Sequence, residues 1–147
     1  MRHSRLMSSL FVLPLFTLSS CGHSSANRLS TMSEPGEQVI TQETIEQSGA
    51  VTAWDVLKRH APSIQFREDR NGRPSRMWRH GRGSITQDDA PLVFLDGVKM
   101  PDWRMLDQIP ANTIHRISIL SGIQGTTYYG TNAVGGVIRI ETKDGSQ

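Results

Sequence analysis

The last third of the chain, from Pro91 to Lys143, constrains the fold most, because short apolar runs alternate there with turn residues. Leu92 to Leu95 is an unbroken apolar run followed by Asp96-Gly97, a dipeptide that tolerates the positive φ angles of a tight turn. This order predicts a buried strand with an abrupt end.

Two further strands are predicted downstream. Polar and apolar residues alternate in Arg116-Ile117-Ser118-Ile119, which predicts that one face of the strand packs inward while the other faces water. Gly135-Gly136 precedes Val137 to Thr142, in which Ile138 and Ile140 share one face. This segment is therefore also predicted to be a half-buried strand.

Two short helices are predicted upstream of these strands. Thr41 is placed to cap a helix that runs through Gln47 and ends at Gly49. Thr52 and Asp55 approximate a capping box for a second helix, although aspartate is shorter than the usual glutamate. The apolar residues that share one face of this second helix are Trp54, Leu57 and Ala61.

A strand with one buried face is predicted after Pro62, from Ile64 and Phe66. Arginine then recurs at every third residue, at Arg67, Arg70, Arg73, Arg76, Arg79 and Arg82. Because Gly72 and Pro74 interrupt any helix, these arginines do not form a basic helical face. We expect a hairpin or loop in this region.

Two interpretations of the arginine series remain open. In the first, the arginines are solvated and have no partner. In the second, they form a surface for an anion or an acidic partner, since forked guanidinium groups suit carboxylates and phosphates. The candidate ligand-binding residues under this hypothesis are Arg73, Arg76 and Arg79.

The closing pattern of the chain resembles the plug domain of TonB-dependent outer-membrane receptors. That family closes with an isoleucine-rich strand, a Tyr-Gly, an Asn-Ala, a Gly-Gly-Val and a terminal Thr-Lys. The matching residues here, in the same order, are Tyr129-Gly130, Asn132-Ala133, Gly135-Gly136-Val137 and Thr142-Lys143. The similarity extends upstream to about Val39.

Together, the local patterns and this resemblance predict an α+β, plug-like fold. We expect a small mixed sheet from strands near residues 39, 64, 76, 92, 117 and 138. Short helices near residues 44, 54, 107 and 126 should cover its surface. In receptors, the resembled domain closes the barrel pore and helps to bind substrate until TonB pulls on an N-terminal box. We find no segment between Gly22 and Val39 that matches such a box.

The segment from Arg79 to Thr86 is similar to a strand and turn of the same family that contains an Arg-Gly pair. His80 stands where the commonest pattern has the arginine. The resemblance implies a contact between that arginine and the barrel wall, so this role is not carried over to the present chain.

The N-terminus has the pattern of a bacterial lipoprotein signal. A basic start, Arg2 to Arg5, precedes an apolar stretch from Leu6 to Leu18 that is too short to span a bilayer. Leu18-Ser19-Ser20-Cys21 resembles a lipobox, which would make Cys21 the lipidated first residue and a membrane anchor. The alternative is an ordinary signal with a free cysteine nearby. Gly22 follows the cysteine, which favours the outer membrane over inner-membrane retention.

These patterns divide the chain into four predicted parts. Residues 1–20 form a signal peptide of the lipoprotein type, and residues 21–38 form a flexible tether rich in small polar residues. Residues 39–143 form the plug-like domain, and residues 144–147 form a tail. We expect the domain to be lipid-anchored at the outer membrane and to face the periplasm.

Charge and length limit the class of function. All 14 acidic residues lie beyond Cys21, whereas two of the 16 basic residues, Arg2 and Arg5, lie in the signal. The processed chain is therefore formally neutral, and nucleic acid is not expected as a partner. A 22-stranded transporter barrel with about 10 residues per strand needs roughly 220 residues in its strands alone. We therefore expect any barrel partner to be separately encoded.

No catalytic, metal or cofactor site is predicted. The histidines lack metal-ligand spacing, and Ser84 does not lie in a Gly-x-Ser-x-Gly elbow. Gly122-x-x-Gly125 and Gly135-Gly136 lack the Walker lysine and the Rossmann spacing. Turn chemistry accounts for Asp88-Asp89 and Asp96. Packing or interfacial anchoring is expected for four aromatic residues, with ligand stacking as the alternative: Trp78, Trp103, Tyr128 and Tyr129.

The leading hypothesis is a non-enzymatic outer-membrane lipoprotein whose plug-like domain is a binding or gating accessory module in envelope transport. One alternative is a lipoprotein that binds a siderophore, vitamin or glycan by itself. Another alternative is a truncated remnant of a receptor. An enzyme would need an acid, base or metal constellation that this sequence does not offer.

Overall fold

The structure, a computed structural model, describes residues 36–79 and 90–145. These residues belong to one structural unit, Met32–Gln147. The strands are β1 (Glu37–Thr41), β2 (Ile64–Glu68), β3 (Pro74–Arg79), β4 (Leu92–Leu95), β5 (Val98–Lys99), β6 (Ile114–Leu120) and β7 (Val137–Thr142). The α-helices are α1 (Gln42–Ser48), α2 (Ala53–His60) and α3 (Gly122–Tyr129), and 3-10 helices span Trp103–Gln108, Ala111–Thr113 and Thr131–Ala133.

Five of the strands form a mixed sheet in the order β1-β6-β7-β4-β5. β4 and β7 are parallel, whereas the other neighbouring pairs are antiparallel. β2 and β3 form a separate antiparallel hairpin. The predicted α+β class, with a mixed sheet and short helices, is confirmed. The strands predicted near residues 64 and 76 do not join that sheet, however, because β2 and β3 pair with each other.

The main hydrophobic core lies on one face of the sheet. Isoleucines of the central strands point into it, and Ile138 and Ile140 are almost fully buried, as their shared face predicts. α1 contributes Ile45, α2 contributes Trp54 and Leu57, and Ala61, the third residue of the predicted apolar face, is buried directly after the helix. The residues of the five-stranded sheet that are buried in this core are Ile40, Val93, Ile114, Ile117, Ile119, Ile138 and Ile140.

The opposite face of the sheet is also buried at one end. Leu120 and Val137 pack there with Ala133, and the ring of Phe94 lies 4.8 Å from the ring of Tyr129 at the end of α3. These contacts assign Tyr129 to packing. The connection from β6 to β7 therefore covers the face that the main core leaves open.

Ser118 corrects one expectation from the sequence. The alternation in β6 predicts a wet face, but Ser118 is only 1% exposed. On its face of the sheet, Glu37 of β1 and Arg139 of β7 form an ion pair at 2.8 Å, although β6 lies between these two strands. Long side chains that meet above a central strand cover its small polar residue, which period-two alternation does not predict.

Side-chain caps begin the helices where the sequence predicts them. The Thr44 amide donates to Thr41 Oγ1 at 3.4 Å, and α1 ends at Gly49 with φ 62°. The Asp55 amide donates to Thr52 Oγ1 at 3.3 Å, but the carboxylate of Asp55 accepts from the Thr52 hydroxyl and not from its amide. In this partial box the short aspartate thus binds the hydroxyl, which is consistent with its limited reach.

The glycines of the closing pattern allow close backbone packing. A Cβ atom on Gly122 would collide with the backbone carbonyl of Val134. Gly136 has φ 97°, and a Cβ there would lie 2.7 Å from the carbonyl oxygen of Leu120. Both positions therefore require glycine on steric grounds.

Asp96 connects the turn after β4 to the end of β7. It adopts φ 47°, a left-handed conformation that aspartate tolerates better than most residues. Its carboxylate accepts hydrogen bonds from the Thr142 amide at 2.7 Å and from the Thr142 hydroxyl at 2.8 Å. The aspartate of the Asp-Gly turn thus holds the last residue of the parallel neighbour strand.

An aromatic cluster joins α2 to the hairpin. Trp54 stacks on Trp103 with 5.8 Å between ring centroids and meets Phe66 edge-on at 4.9 Å. Its indole nitrogen donates to Glu68 Oε1 at 2.8 Å, and the Lys58 ammonium binds the same oxygen at 2.6 Å. Hydrogen bonds from Lys58 and then Trp54 lower the pKa of Glu68 from its ordinary value.

Replacing Asp96 should destabilise the domain. Asp96→Ala removes two charge-assisted hydrogen bonds and places alanine in a left-handed conformation, so we expect a loss of about 1–3 kcal/mol in the free energy of unfolding. Denaturant titration followed by circular dichroism measures this loss. Asp96→Asn keeps the conformational tolerance and one acceptor oxygen, so its loss should be smaller. Equal stability of Asp96→Ala and the wild type would contradict the described contact.

The lowered pKa of Glu68 predicts a pH effect on stability. Because its folded-state pKa lies below the ordinary value of 4.5, the ionised carboxylate stabilises the fold above about pH 4.5. This contribution, up to about 1 kcal/mol for a partly exposed pair, is lost as the pH falls through the folded-state pKa. In Glu68→Gln, the free energy of unfolding should therefore differ less between pH 7 and pH 3.

Lys58→Met offers a second comparison, because it removes the ammonium and leaves the carboxylate. It should weaken the pH dependence in the same direction, by less than Glu68→Gln does. An unchanged pH dependence in both variants would show that the described contacts do not stabilise the charged form.

Candidate functional site

The β2–β3 hairpin carries most of the arginine series. Arg67 lies on β2, Arg70 and Arg73 lie around the turn, and Arg76 and Arg79 lie on β3. Arg82, with His80, Ser84 and Asp88-Asp89, lies outside the residues that the structure describes, and so does Cys21. The three predicted ligand-binding candidates, Arg73, Arg76 and Arg79, lie at different places on the hairpin.

Arg79 faces the interior of the domain. Its guanidinium donates to the carbonyl oxygen of Leu120, the last residue of β6, at 3.1 Å. A Cβ atom on Gly136 would lie 2.5 Å from the same guanidinium. Arg79 thus joins the hairpin to the main sheet, beside the glycine that leaves room for it.

Arg76 lies on the opposite, outer face of the hairpin. Its guanidinium stacks over the ring of Trp78 at 5.0 Å from the centroid. In the strand register, Arg76 pairs directly with Arg67, and both side chains are exposed. Like charges directly opposite each other across two strands destabilise a sheet by roughly 0.2–1 kcal/mol. The outer face of the hairpin is therefore electrostatically unfavourable in the isolated domain.

Arg73 lies at the turn, where Asp69 organises the backbone. The Asp69 carboxylate accepts from the amides of Asn71 at 2.8 Å and Arg73 at 2.9 Å. These hydrogen bonds, first that of Arg73, lower the pKa of Asp69. Arg73 is thus fixed at the end of the hairpin, away from the Arg67–Arg76 pair in the strand register.

A cleft of about 490 Å³ opens beside this turn. The hairpin turn forms one wall and the 3-10 helix Trp103–Gln108 contributes to the other, with guanidinium and carboxylate groups on both. Its charged lining residues are Asp69, Arg73, Asp102, Arg104 and Asp107. Such a lining can donate to and accept from a polar ligand that carries both kinds of group.

Asp102 and Arg104 are also held by local contacts. The Asp102 carboxylate accepts from the Arg104 amide at 2.9 Å, and the Arg104 guanidinium stacks over Trp103 at 4.7 Å. Asp107 Oδ1 is buried and has no hydrogen-bond partner among the described residues. Sequence reasoning missed this cleft, because its two walls are separated by about thirty positions and carry no motif.

The described residues offer few other kinds of site. Among residues 36–79 and 90–145, no group of three His, Cys, Asp or Glu side chains could hold a metal ion. In the same ranges no helix combines the length and the apolar character that crossing a bilayer requires. Trp103 serves packing against Trp54, whereas Tyr128 is 59% exposed.

Comparisons with known proteins agree on the kind of domain. The vitamin B12 transporter BtuB of Vibrio cholerae serotype O1 is 33% identical over 121 residues, which cover 75% of this chain and 18% of the transporter. The rhizobactin receptor of Rhizobium meliloti is 46% identical over 67 residues, which cover 43% of this chain and 9% of the receptor. The chain thus spans less than a fifth of the length of these relatives.

The structural comparison gives the same result. The siderophore receptor PirA of Acinetobacter baumannii superposes with a TM-score of 0.55 and 25% identity, over 74% of this chain and 17% of the receptor. The family model described as "TonB-dependent Receptor Plug Domain" matches residues 31–137, most of the chain. The chain belongs to the plug-domain family of TonB-dependent receptors.

Proposed function

We propose that this chain is a lipid-anchored plug domain that acts as a binding or gating module in transport across the outer membrane, together with a separately encoded β-barrel. The proposal rests on the match of residues 31–137 to the plug family. The similarity of the fold to part of a siderophore receptor supports it. Similar proteins are named as a vitamin B12 transporter and a rhizobactin receptor, which favours a non-enzymatic role in uptake.

The contacts of the β2–β3 hairpin support a domain that binds another protein. The aromatic cluster of Trp54, Phe66 and Trp103 fixes one side of the hairpin, while its other side presents Arg67 and Arg76 without an ion-pair partner among the described residues. A rigid element that exposes unpaired charge suits a contact with a carboxylate-bearing wall.

The lipid anchor would keep the domain at the membrane. Acylation of Cys21 would attach the chain to the membrane, and the residues between Cys21 and β1, which begins at Glu37, would connect the anchor to the domain. On this proposal, the anchor lies in the outer membrane and the domain faces the periplasm.

A second function, the binding of a siderophore, vitamin or glycan by the chain alone, is favoured by the cleft beside the hairpin turn. Its volume of about 490 Å³ falls in the range of small-molecule sites, and its lining offers groups of both charges.

Acylation of Cys21 is directly testable. Cells that express the full chain in the presence of radiolabelled palmitate should yield a labelled protein in the outer-membrane fraction, and Cys21→Ser should lose the label. Ser24→Ala, just beyond the lipobox, should keep it. A labelled Cys21→Ser variant would contradict the anchor.

The partnership with a barrel is tested by affinity purification of the full chain from detergent-solubilised outer membranes. We expect one dominant outer-membrane β-barrel protein, identified by mass spectrometry, in stoichiometric amount. The secreted Cys21→Ser variant should recover less of it, because the anchor raises the local concentration of the domain.

Recovery of neither a barrel nor any other envelope protein would contradict the leading proposal. Calorimetry on the same purified chain, with cyanocobalamin and a ferric siderophore, then decides the second one. Heat of binding that Arg73→Gln reduces would support autonomous binding at the cleft, whereas no heat with either compound would contradict binding of these two ligand classes.

A further inference from the structure

We propose that the outer face of the β2–β3 hairpin is a docking surface for a carboxylate-bearing protein, with Arg67 and Arg76 as its paired anchors and Trp78 as its aromatic support. The inference deepens the proposed function, because the barrel is the partner that it would serve.

The geometry of the Arg67–Arg76 pair suits the binding of carboxylates. Arg67 and Arg76 are cross-strand neighbours in an antiparallel register, so their Cβ atoms lie on the same face at about 4.5–5.5 Å. Both side chains are exposed. Two guanidinium groups at this spacing can both donate hydrogen bonds to one carboxylate, or each can bind one of two adjacent carboxylates.

The positive charge of the arginine pair is not neutralised by any described ion pair. The described ion pairs use Lys58, Arg104, Arg116, Arg139 and Lys143, and none of them reaches Arg67 or Arg76. In residues 36–79 and 90–145, the pair is therefore left with its mutual repulsion. A partner carboxylate would remove that repulsion and add charge-assisted hydrogen bonds, so complementarity of charge selects an acidic occupant.

An aromatic ring supports one of the two arginines. Trp78 lies beside Arg76 on the same face, and the guanidinium stacks on its ring at 5.0 Å. Stacking of this kind orders a long side chain before a partner arrives and lowers the entropy lost on binding. Tryptophan and arginine are also the residue types that dominate binding energy at protein interfaces.

Contacts on the inner face of the same hairpin hold it on the domain. Met77 is buried, Phe66 packs on Trp54, and Arg79 is bound to the Leu120 carbonyl. These contacts fix the hairpin on the domain through one face. Among the residues of β2 and β3, the opposite face carries Gln65, Arg67, Arg76 and Trp78 and no aliphatic side chain that would enter a bilayer, which favours a protein over a lipid surface.

The experiment places the photoreactive residue p-benzoyl-L-phenylalanine at Trp78 in the full chain, expressed in its own cells. Irradiation should yield a cross-link to a protein segment that contains Asp or Glu, identified by mass spectrometry. The same probe at Tyr128, an exposed aromatic position on α3, serves as the comparison site and should not capture that segment.

Arg76→Glu separates docking from folding. The substitution creates an ion pair with Arg67 across the strands, so the melting temperature should not fall, yet the cross-link yield at position 78 should drop at least tenfold. Lys99→Glu, on β5, changes the net charge equally and should leave the yield unchanged. Replacing the captured carboxylates with arginine should restore the cross-link to Arg76→Glu.

Three results would overturn the docking surface. They are a cross-link to lipid, a cross-link that Arg76→Glu does not reduce, and no cross-link at position 78 in a chain that still co-purifies with a barrel. The last result would leave the proposed function standing. Conversely, a charge-dependent cross-link to an envelope protein other than a barrel would support the surface and contradict the proposed function.

Discussion

The fold depends on the position of β6 between β1 and β7. Its isoleucines, Ile117 and Ile119, enter the main core, and its last residue, Leu120, enters the second cluster on the other face. The carbonyl oxygen of Leu120 also receives the Arg79 guanidinium from the hairpin. One strand thus joins both hydrophobic clusters and the separate two-stranded element, and the packing of each depends on its register.

Local sequence patterns predicted the elements that local interactions determine. The caps at Thr41 and Thr52, the stop at Gly49 and the shared face of Ile138 and Ile140 depend on residues only a few positions apart. Such signals survive without knowledge of the tertiary structure. The order of the turn residues in the last third carried the family resemblance for the same reason.

Features that depend on distant neighbours were not predictable. Ser118 is buried because Glu37 and Arg139 meet above it, and these two residues are about a hundred positions apart. The spacing of the arginines likewise did not show that Arg79 faces inward while Arg76 faces outward opposite Arg67. The strand register determines which arginines share a face. The candidate binding residues therefore change from the predicted set Arg73, Arg76 and Arg79 to the pair Arg67 and Arg76.

The ion pair between Glu37 and Arg139 has a mechanical consequence. Glu37 is the first residue of the edge strand β1, and its side-chain partner belongs to β7, two strands into the sheet. A force applied to the chain before Gly36 would therefore act on two sets of interactions at the start of β1. These are the backbone hydrogen bonds between β1 and β6 and the Glu37–Arg139 ion pair between β1 and β7. The ion pair raises the force needed to begin separating β1 from β6. The remaining backbone hydrogen bonds of β1 would then break one after another. The edge strand would then stay paired under a weak force and separate stepwise from the sheet once the ion pair is broken.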